Sequence, residues 1–520
     1  MNKKVFNTTG ICIPEQHYMV NINSKIQQIL QNYIEPQAYF TINRARQYGK
    51  TTTLRLLEHA LASQYMVIRI SFEGKEEYFA SLRALAGGLC FSFKKSISRN
   101  YPPLAKIFEA PVNMQYPLQD LSERITELSR QSAFPVVLMI DEVDKAADNQ
   151  TFLSFLGMLR ELYLARADYQ EPTFHNVILA GVHDIKNLKI KLRPEERHSY
   201  NSPWNIAATF DVEMSFSAAE IATMLMDYEN DYHTGMDIST ISASLYEYTS
   251  GYPFLVSCLC KRMANSERNW TIQQLRNAIR DILKEKNTLF DDVIKNIRNH
   301  PDFSRLIEQI LVCGAQVTFE IQNSLIEMGE IYGIFKEKDG KVMISNRIFE
   351  TLILNYFTSV RSTYALSSTQ YTDRNLYIEQ GHLNMSKVLE RFSDFMKSEY
   401  REEDGSFIEC QGRLLFLSFL RPIINGTGHY AVEPQTRKNT RMDIQVFYGN
   451  EEFIVELKIW HGGKYEKEAY NQLVNYLESR GVTRGYLLSF CDNRKAPRKS
   501  QVFLYKGYEI HEVIVAYRDK

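Results

Sequence analysis

The feature that most constrains the fold is a series of short apolar runs, separated by helical stretches, between residues 39 and 216. The runs are apolar almost throughout, which is typical of parallel strands that are covered by helices on both faces. The sequence therefore predicts an α/β domain with a parallel sheet over residues 1–216. The predicted strands are YFTIN (39–43), YMVIRISF (65–72), PVVLMI (135–140), NVILAG (176–181) and FDVEMSF (210–216).

The apolar pattern changes period after the last of these runs. Ser217 and Glu220 form the sequence of a capping box, which indicates the start of a helix. From there the periodicity is helical as far as about residue 300, with no strand of any length. These observations predict a helical domain over residues 217–300.

Residues 301–362 show helix, helix and two short strands joined by a turn at Asp339 and Gly340, an order typical of a winged helix. The second helix, EIQNSLIEMGE, carries three Glu and no Lys or Arg. It would repel a phosphate backbone, so we predict a packing and switching module rather than a DNA reader. A Ser/Thr-rich linker over 363–379 and a last domain over 380–520 complete the predicted organisation.

A phosphate-binding loop is predicted where the first strand meets the next helix. The backbone N–H groups of such a loop cradle phosphates, Lys50 reaches the β- and γ-phosphate oxygens, and the Thr51 hydroxyl can ligate Mg²⁺. Arg44 replaces the first glycine of the GxxxxGK[ST] pattern, and its charge is expected to add to the cradle. Gly-Lys-Thr alone also occurs by chance at helix starts. The predicted nucleotide-binding residues of the loop are Arg44, Arg46, Gly49, Lys50, Thr51 and Thr52.

A second acidic element makes the nucleotide site more specific. The apolar run 136–140 ends in Asp141 and Glu142, as a Walker B strand does. Asp141 is predicted to hold Mg²⁺, and Glu142 is predicted as the catalytic residue that orients the attacking water. The spacing of ninety residues from the loop supports nucleotide binding over a solvated strand end.

Composition excludes several functional classes. Lys plus Arg number 61 against 62 for Asp plus Glu, so a polyanion partner must bind a local patch. No apolar run approaches the roughly 20 residues of a membrane span, and residues 1–10 lack the apolar core of a signal peptide. We expect a cytoplasmic protein without a membrane partner, whose seven cysteines are reduced thiols. The sequence leaves a homo-oligomer open.

The first 360 residues resemble a known family, the AAA-like ATPases of the signal-transduction NTPase group, over about residues 5–360. The resemblance implies that ATP is the nucleotide, that Pro253 lies near it and that His183 or Asp184 senses the γ-phosphate. It supplies no arginine finger, and Arg160 and Arg166 are unplaced candidates. The matching segments are HYMV (17–20), INRARQYGKTTTL, LMIDEVD, LAGVHD (179–184) and GYPFLV (251–256).

The last domain contains two acids and a lysine in a hairpin pattern. Asp443 is followed by twelve residues and then by Glu456 and Lys458. If two antiparallel strands turn at Gly449 and Asn450, Glu456 and Lys458 share one face and return beside Asp443. Such carboxylates hold Mg²⁺ or Mn²⁺, and the lysine orients water, which is what phosphodiester cleavage requires.

This arrangement resembles the PD-(D/E)XK nuclease superfamily over about residues 380–520, with Met442 in place of its proline. The resemblance implies that Gln472, on a downstream helix, supports the site and that Glu409, on the helix 407–426, is a further acidic ligand. Glu433 is a looser candidate. The predicted metal ligands of the whole chain are Thr51, Asp141, Glu409, Asp443 and Glu456, and the predicted catalytic residues are Glu142, Asp443, Glu456, Lys458 and Gln472.

Together these patterns predict an ATP-binding, ATP-hydrolysing module that controls a metal-dependent nuclease, with nucleic acid as partner and DNA favoured over RNA. A nucleotide switch fused to a nuclease suggests defence against foreign DNA. The alternative is an ATP-regulated DNA-binding or signalling protein whose C-terminal hairpin is only an exposed surface with a Glu–Lys pair. Basic residues beside the hairpin form either a backbone-binding track or a solvated face: Arg437, Lys438, Arg441, Arg484, Arg494, Lys495, Arg498 and Lys499.

Overall fold

The computed structural model of the chain describes residues 3–146, 149–169, 171–182, 203–266, 270–313, 315–365, 374–399, 409–425, 427–432, 444–460, 463–492 and 500–518. The chain divides into two compact units. The first unit is Met1–Trp270 with Glu330–Gly333, and the second is Thr271–Gly329 with Ile334–Lys520. In the described part of the chain, no helix combines the length and the apolar composition that crossing a bilayer requires.

A four-stranded parallel sheet forms the centre of the first unit. Its strands are β1 (Phe40–Asn43), β2 (Met66–Ser71), β3 (Val136–Asp141) and β4 (Asn176–Gly181). Their order is β1-β4-β3-β2, and every neighbouring pair is parallel. All residues of β3 and β4 are buried, because helices cover both faces of the sheet. The predicted α/β domain with a parallel sheet is confirmed.

Nine α-helices surround or follow this sheet in the described part of the first unit. The helix α7 begins at a capping box in which Ser217 accepts from the N–H of Glu220 at 3.1 Å and the Glu220 carboxylate accepts from the N–H of Ser217 at 2.7 Å, as predicted. The helices are α1 (Asn23–Ile29), α2 (Lys50–Leu61), α3 (Leu82–Ile97), α4 (Pro102–Ala105), α5 (Pro117–Gln131), α6 (Gln150–Tyr169), α7 (Ala218–Tyr232), α8 (Ile238–Thr249) and α9 (Pro253–Asn265).

The segment 210–216 is not a strand, contrary to the prediction from its alternating apolar pattern. Its alternate side chains are buried, as they would be in a strand. Its backbone, however, bonds to a side chain: the Tyr33 hydroxyl donates to the carbonyl of Thr209 at 3.0 Å and accepts from the N–H of Asp211 at 2.9 Å. Side chains thus satisfy polar groups that a strand ladder would otherwise pair, so the alternation indicated burial rather than pairing.

The second unit begins with helices and a hairpin. These are α10 (Ile272–Ile282), α11 (Thr288–Asn299), α12 (Pro301–Leu311), α13 (Ser324–Ile331), β5 (Phe335–Lys338), β6 (Lys341–Ile344) and α14 (Arg347–Ala365). The β5–β6 turn uses Asp339 and Gly340, both at positive φ. The helix α13 starts later than predicted, because Asn323 accepts from the N–H of Leu325 at 3.0 Å. The helix α14 runs past the predicted linker boundary, since no Gly or Pro stops it.

A six-stranded mixed sheet completes the second unit, in the order β13-β14-β12-β11-β10-β9. The predicted hairpin with its turn at Gly449 and Asn450 is confirmed as β10–β11, and β12 pairs with β11 in parallel. The elements are β7 (Ile378–Glu379), β8 (His382–Leu383), α15 (Met385–Glu399), α16 (Glu409–Ile424), β9 (Gly428–Val432), β10 (Ile444–Tyr448), β11 (Glu451–Ile459), α17 (Gly463–Arg480), β12 (Arg484–Asp492), β13 (Gln501–Tyr505) and β14 (Tyr508–Arg518).

Side chains of the C-terminal elements bond directly to the earlier helices of the second unit. Arg413 on α16 donates to the carbonyl of Val312, which follows α12. The hydroxyls of Thr358 on α14 and Tyr430 on β9 are 3.2 Å apart in a buried hydrogen bond. The predicted domain boundaries at residues 300 and 362 therefore fall inside this unit.

Candidate functional site

The loop between β1 and α2 has the backbone shape of an anion site. Gly49 adopts φ +82° immediately before α2, a conformation that favours glycine, and Lys50 is the first residue of the helix. The N–H groups of the first helical turn lack intrahelical partners and carry a partial positive charge. Thr51 follows in this turn, half-buried. The loop can therefore receive phosphate at the start of α2.

Arg44 has a bracing role in the loop. Its guanidinium donates to the carbonyl oxygens of Asn43 at 2.9 Å and Val212 at 3.0 Å. Its Cζ atom also lies 5.4 Å from the ring centroid of Phe210. These contacts fasten the loop to the buried segment that follows residue 209. Arg46, two residues later, is exposed.

Lys50 lies at the centre of an electrostatic cluster. Its Nζ atom donates to the carbonyl oxygens of Arg44 at 2.8 Å and Ala45 at 3.0 Å, and only 8% of the residue is exposed. Burial lowers the pKa of the lysine. The carboxylates of Asp144, Glu142 and Asp141 oppose that shift, in this order of strength. The loop cation and the acids at the end of β3 are thus brought together.

The acids at the end of β3 differ in environment. Asp141 is 5% exposed, and its Oδ1 accepts from the N–H of Glu142 at 3.0 Å. Glu142 has a φ of +56°, which is strained for a residue with a side chain. Burial raises the pKa of Glu142 and the charge of Asp141 adds to the rise, whereas Lys50 opposes it. A carboxyl with a raised pKa is a better general base.

Sequence reasoning gave no role to Asp144, although the structure places it in the same cluster. Its two carboxylate oxygens accept from the N–H of Val182 at 2.8 and 2.7 Å. This contact ties the end of β3 to the end of β4. Asp144 is also the strongest of the acids that oppose the shift in Lys50. The only signal in the sequence was a third acid close after the Asp–Glu pair.

A cavity of about 360 Å³ lies beside the loop, within the first unit. Its wall includes the start of α2, the N-terminal segment 7–12 and the start of α9. Thr52, in this wall, accepts from the N–H of Cys12 at 3.3 Å, which fastens the N-terminal segment to α2. Pro253, the first residue of α9, also lines the cavity, next to Phe254. Sequence reasoning did not find the segment 7–12, which carries no phosphate-binding pattern.

The GYP sequence at the start of α9 contacts the phosphate loop. A Cβ atom on Gly251 would lie 1.9 Å from the carbonyl oxygen of Phe216, and Gly251 has a φ of +72°. Only glycine fits this position without displacement. The hydroxyl of Tyr252 donates to the carbonyl oxygen of Arg46, and its ring contacts that of Tyr48 edge-on at 4.6 Å. Tyr252, which sequence reasoning missed, thereby supports the loop.

The remaining predicted residues of this site are placed as follows. His183 and Asp184 lie outside the described residues. Arg166 donates to the carbonyl oxygens of Phe174, His175 and Gln37, so its guanidinium braces the fold. Arg160 is half-buried on α6.

A family model described as an AAA-like domain matches residues 11–358. The chain belongs to the AAA-like domain family. This agrees with the predicted span of 5–360. The match ends before α15 and the six-stranded sheet, so the nuclease resemblance of residues 380–520 stays a prediction. No curated protein matches the chain.

Solved structures similar to this chain include three proteins. The Walker-type ATPase PABY2304 of Pyrococcus abyssi has a TM-score of 0.44 and 14% identity, over 67% of this chain and 99% of that one. The Aeropyrum pernix ORC2 protein in its ADPNP–ADP complexes has a TM-score of 0.38 and 11% identity, over 64% and 93%. The Aeropyrum pernix ORC1 protein in complex with DNA has a TM-score of 0.29 and 12% identity, over 67% and 96%.

Beyond the AAA-like domain, β11 carries the predicted Glu–Lys pair. Glu456 is 1% exposed, and its Oε1 lies 2.8 Å from Nζ of Lys458. The two residues share one face of the sheet, because side chains alternate along a strand. Ile444, the first residue of β10, pairs with Val455. Glu456, which follows Val455, therefore lies one residue beyond the described end of the β10–β11 pairing.

The other predicted members of the second site are less fully described. Gln472 lies on α17, and its Oε1 is buried with no hydrogen-bond partner in the described part of the chain. Glu409 is the first residue of α16. Asp443 and Glu433 lie outside the described residues. Within the described ranges, no group of three or more His, Cys, Asp and Glu side chains is placed to hold a metal.

A buried acid that sequence reasoning missed lies on the same sheet face. Glu512 on β14 is 1% exposed and accepts from Tyr470 at 2.9 Å, Ser489 at 2.5 Å and Gln501 at 2.8 Å. Leu487 pairs with Glu456 on one side and with Glu512 on the other, which places both acids on one face. The sequence feature that could have indicated Glu512 is the presence of an acid inside the apolar run of β14. Its three donors came from distant segments.

Proposed function

We propose that the AAA-like domain binds ATP at the Lys50 loop, hydrolyses it with Glu142, and controls a metal-dependent nuclease site on the C-terminal sheet. The observation that carries the proposal is the Glu456–Lys458 pair: a carboxylate that is 1% exposed beside an ammonium 2.8 Å away. Burying a carboxylate costs free energy, which a catalytic site can require and a solvated hairpin does not. The family match and the loop geometry support the ATP half.

We propose magnesium as the ion in both sites, because carboxylate and hydroxyl oxygens are ligands that it accepts. Thr51 and Asp141 would hold the ion in the first site, and Asp141 is a buried carboxylate at a strand end. Glu456, Asp443 and Glu409 would hold it in the second. When bound, the ion neutralises charge that develops on the phosphoryl group and lowers the pKa of bound water.

The protein groups then have separate tasks. In the first site, Lys50 balances the charge of the β- and γ-phosphates, while Glu142 orients the attacking water and accepts its proton. In the second site, Lys458 orients water toward the phosphodiester, and Gln472 supports that arrangement with its buried amide oxygen. An ATP-dependent restraint on such cleavage suits a role in defence against foreign DNA.

The second candidate is an ATP-regulated DNA-binding or signalling protein with a non-catalytic C-terminal sheet. The same Glu456–Lys458 contact favours it, because a closed ion pair satisfies both charges without a metal. The two candidates differ in one measurable respect, which is whether nucleic acid is cut.

The test incubates the full chain with Mg²⁺ or Mn²⁺ and labelled single- and double-stranded DNA and RNA, with and without ATP. We expect metal-dependent cleavage that is lost in Glu456→Gln and Lys458→Met. Glu452→Gln, on the same strand and with its carboxylate held by Gln445 at 2.9 Å, is the matched control and should cleave normally. Undiminished cleavage by Glu456→Gln would overturn the nuclease assignment, and no cleavage by any form would favour the second candidate.

A further inference from the structure

A row of cations runs along one side of α10 in the second unit. Arg276, Arg280 and Lys284 are spaced four residues apart, so they point to one side of the helix and of the turn that follows it. Arg276 and Arg280 are half-buried and Lys284 is exposed. We call these three residues the α10 cations.

The α10 cations lie against the edge strand β9 and its neighbour β10. The Cζ atom of Arg276 is 4.9 Å from the ring centroid of Phe447, and Nη1 of Arg280 is 3.5 Å from the carbonyl oxygen of Thr427. The ring of His429 stacks on Phe447 at 4.8 Å. Arg280 also contacts Asp281 at 3.4 Å, with 26% of its side chain exposed.

The pKa of His429 indicates the sign of the electrostatic potential around its ring. Burial lowers its pKa, and the charges of Arg280, Arg276 and Lys284 lower it further, to about 4. Protonation is thus opposed by three cations at once. This surface is a region of positive potential, as an anionic ligand would require.

Strand register places the α10 cations on the sheet face of the Glu456–Lys458 pair. His429 pairs with Phe447, and Phe447 pairs with Glu452, so these three share a face. Glu456 lies four residues after Glu452 on β11 and therefore faces the same side. His429 and Glu456 are separated by two strand spacings across the sheet, from β9 to β11, and by four residues along β11. These separations give roughly 16 Å between the two residues. At about 3.4 Å of helix axis per phosphate of one DNA strand, this distance along the axis corresponds to roughly five phosphates.

We propose that the α10 cations form a phosphate-backbone track that leads nucleic acid to Glu456 and Lys458. The inference rests on the proposed nuclease function and identifies its substrate-binding surface. Arginine guanidinium groups suit phosphate oxygens because they offer paired donors, and the contacts carry no sequence information. The α10 cations lie within residues 11–358, which the AAA-like family model matches. Glu456 and Lys458 lie beyond that match, on the C-terminal sheet.

The test measures binding of the full chain to a labelled DNA duplex by fluorescence anisotropy, without divalent metal, at several salt concentrations. Arg280→Gln/Lys284→Gln should weaken binding at least tenfold and reduce the slope of log K against log salt by about 2. Lys295→Gln/Arg298→Gln, which removes two exposed cations from α11, is the matched control and should bind like the unaltered chain. Unchanged affinity and slope in the α10 variant would overturn the track.

Two further measurements separate this inference from the nuclease proposal. Glu456→Gln should bind DNA normally but not cut it, so binding that depends on the α10 cations without any cleavage would sustain the track and refute the nuclease. Metal-dependent cleavage that is lost in Glu456→Gln, together with normal DNA binding by Arg280→Gln/Lys284→Gln, would sustain the nuclease and refute the track. If the double variant does not fold, Lys284→Glu replaces it, since Lys284 is exposed, and should also weaken binding.

Discussion

The Nζ atom of Lys50 donates a hydrogen bond of 2.8 Å to the carbonyl oxygen of Arg44, six residues earlier in the same loop. A second bond, of 3.0 Å, goes to Ala45. The cation that is proposed to face the phosphates of ATP is therefore held by backbone carbonyls beside the acids that end β3. Nucleotide phosphates would offer stronger, charged acceptors to the same ammonium.

Lys50→Ala should remove ATP binding, because it deletes the cation that we propose faces the β- and γ-phosphates. Isothermal titration calorimetry at millimolar Mg²⁺ measures this directly. Lys95→Ala, which removes an exposed lysine from α3, is the control and should bind ATP normally. Equal ATP affinity in the two variants would refute the role of Lys50.

Glu142→Gln should keep ATP binding and abolish turnover, because glutamine cannot accept the proton of the attacking water. In the unaltered chain, turnover should fall as pH falls through the raised pKa of Glu142, since only the carboxylate acts as a base. The raised pKa also means that the folded state disfavours the ionised form of the Glu142 side chain. Replacing it with neutral glutamine should therefore raise Tm slightly at pH 7. Phosphate release and thermal unfolding measure the two effects. Residual turnover near that of the unaltered chain would exclude Glu142 as the base.

Gly251→Ala should destabilise the first unit by about 2–4 kcal/mol, because the new Cβ atom would overlap the carbonyl of Phe216 at a positive φ. Gly235→Ala is the matched control: its φ is +74°, but nothing lies within 4 Å of the added atom. It should cost only about 1 kcal/mol. Urea unfolding compares the two, and equal costs would show that the contact with Phe216 is not limiting.

His429 should make stability depend on pH. Its folded-state pKa of about 4 lies below the ordinary value of 6.5, so the unfolded chain binds the proton more readily between these values. Its contribution is complete above pH 6.5 and should fall, by about 3 kcal/mol in all, as pH decreases toward 4. His429→Gln should flatten the change in urea midpoint between pH 7 and 4.5, whereas His59→Gln, at an exposed site on α2, should not. Parallel pH profiles for the two variants would contradict this account.

Local patterns were sufficient for much of the fold. Runs such as Val136–Asp141 are buried on both faces, and this burial requires continuous apolar sequence that is visible without coordinates. The capping box at Ser217 and the hairpin turn at Gly449 depend on neighbouring residues, so their sequences specify them. Lys50, Asp141, Glu142, Glu456 and Lys458 could be predicted as site residues for the same reason, because their proposed chemistry is tied to a strand end or to a spacing of two.

Only the tertiary structure decided how distant segments meet. The segment 210–216 alternates like a strand, yet a tyrosine from another element bonds to its backbone. Asp144, Tyr252 and Glu512 gain their roles from partners that lie 38, 206 and up to 42 residues away. The α10 cations face the sheet of Glu456 only because α10 packs with the C-terminal elements. Sequence patterns encode which side chains are buried and where backbone turns occur, whereas long-range contacts arise from packing the whole chain.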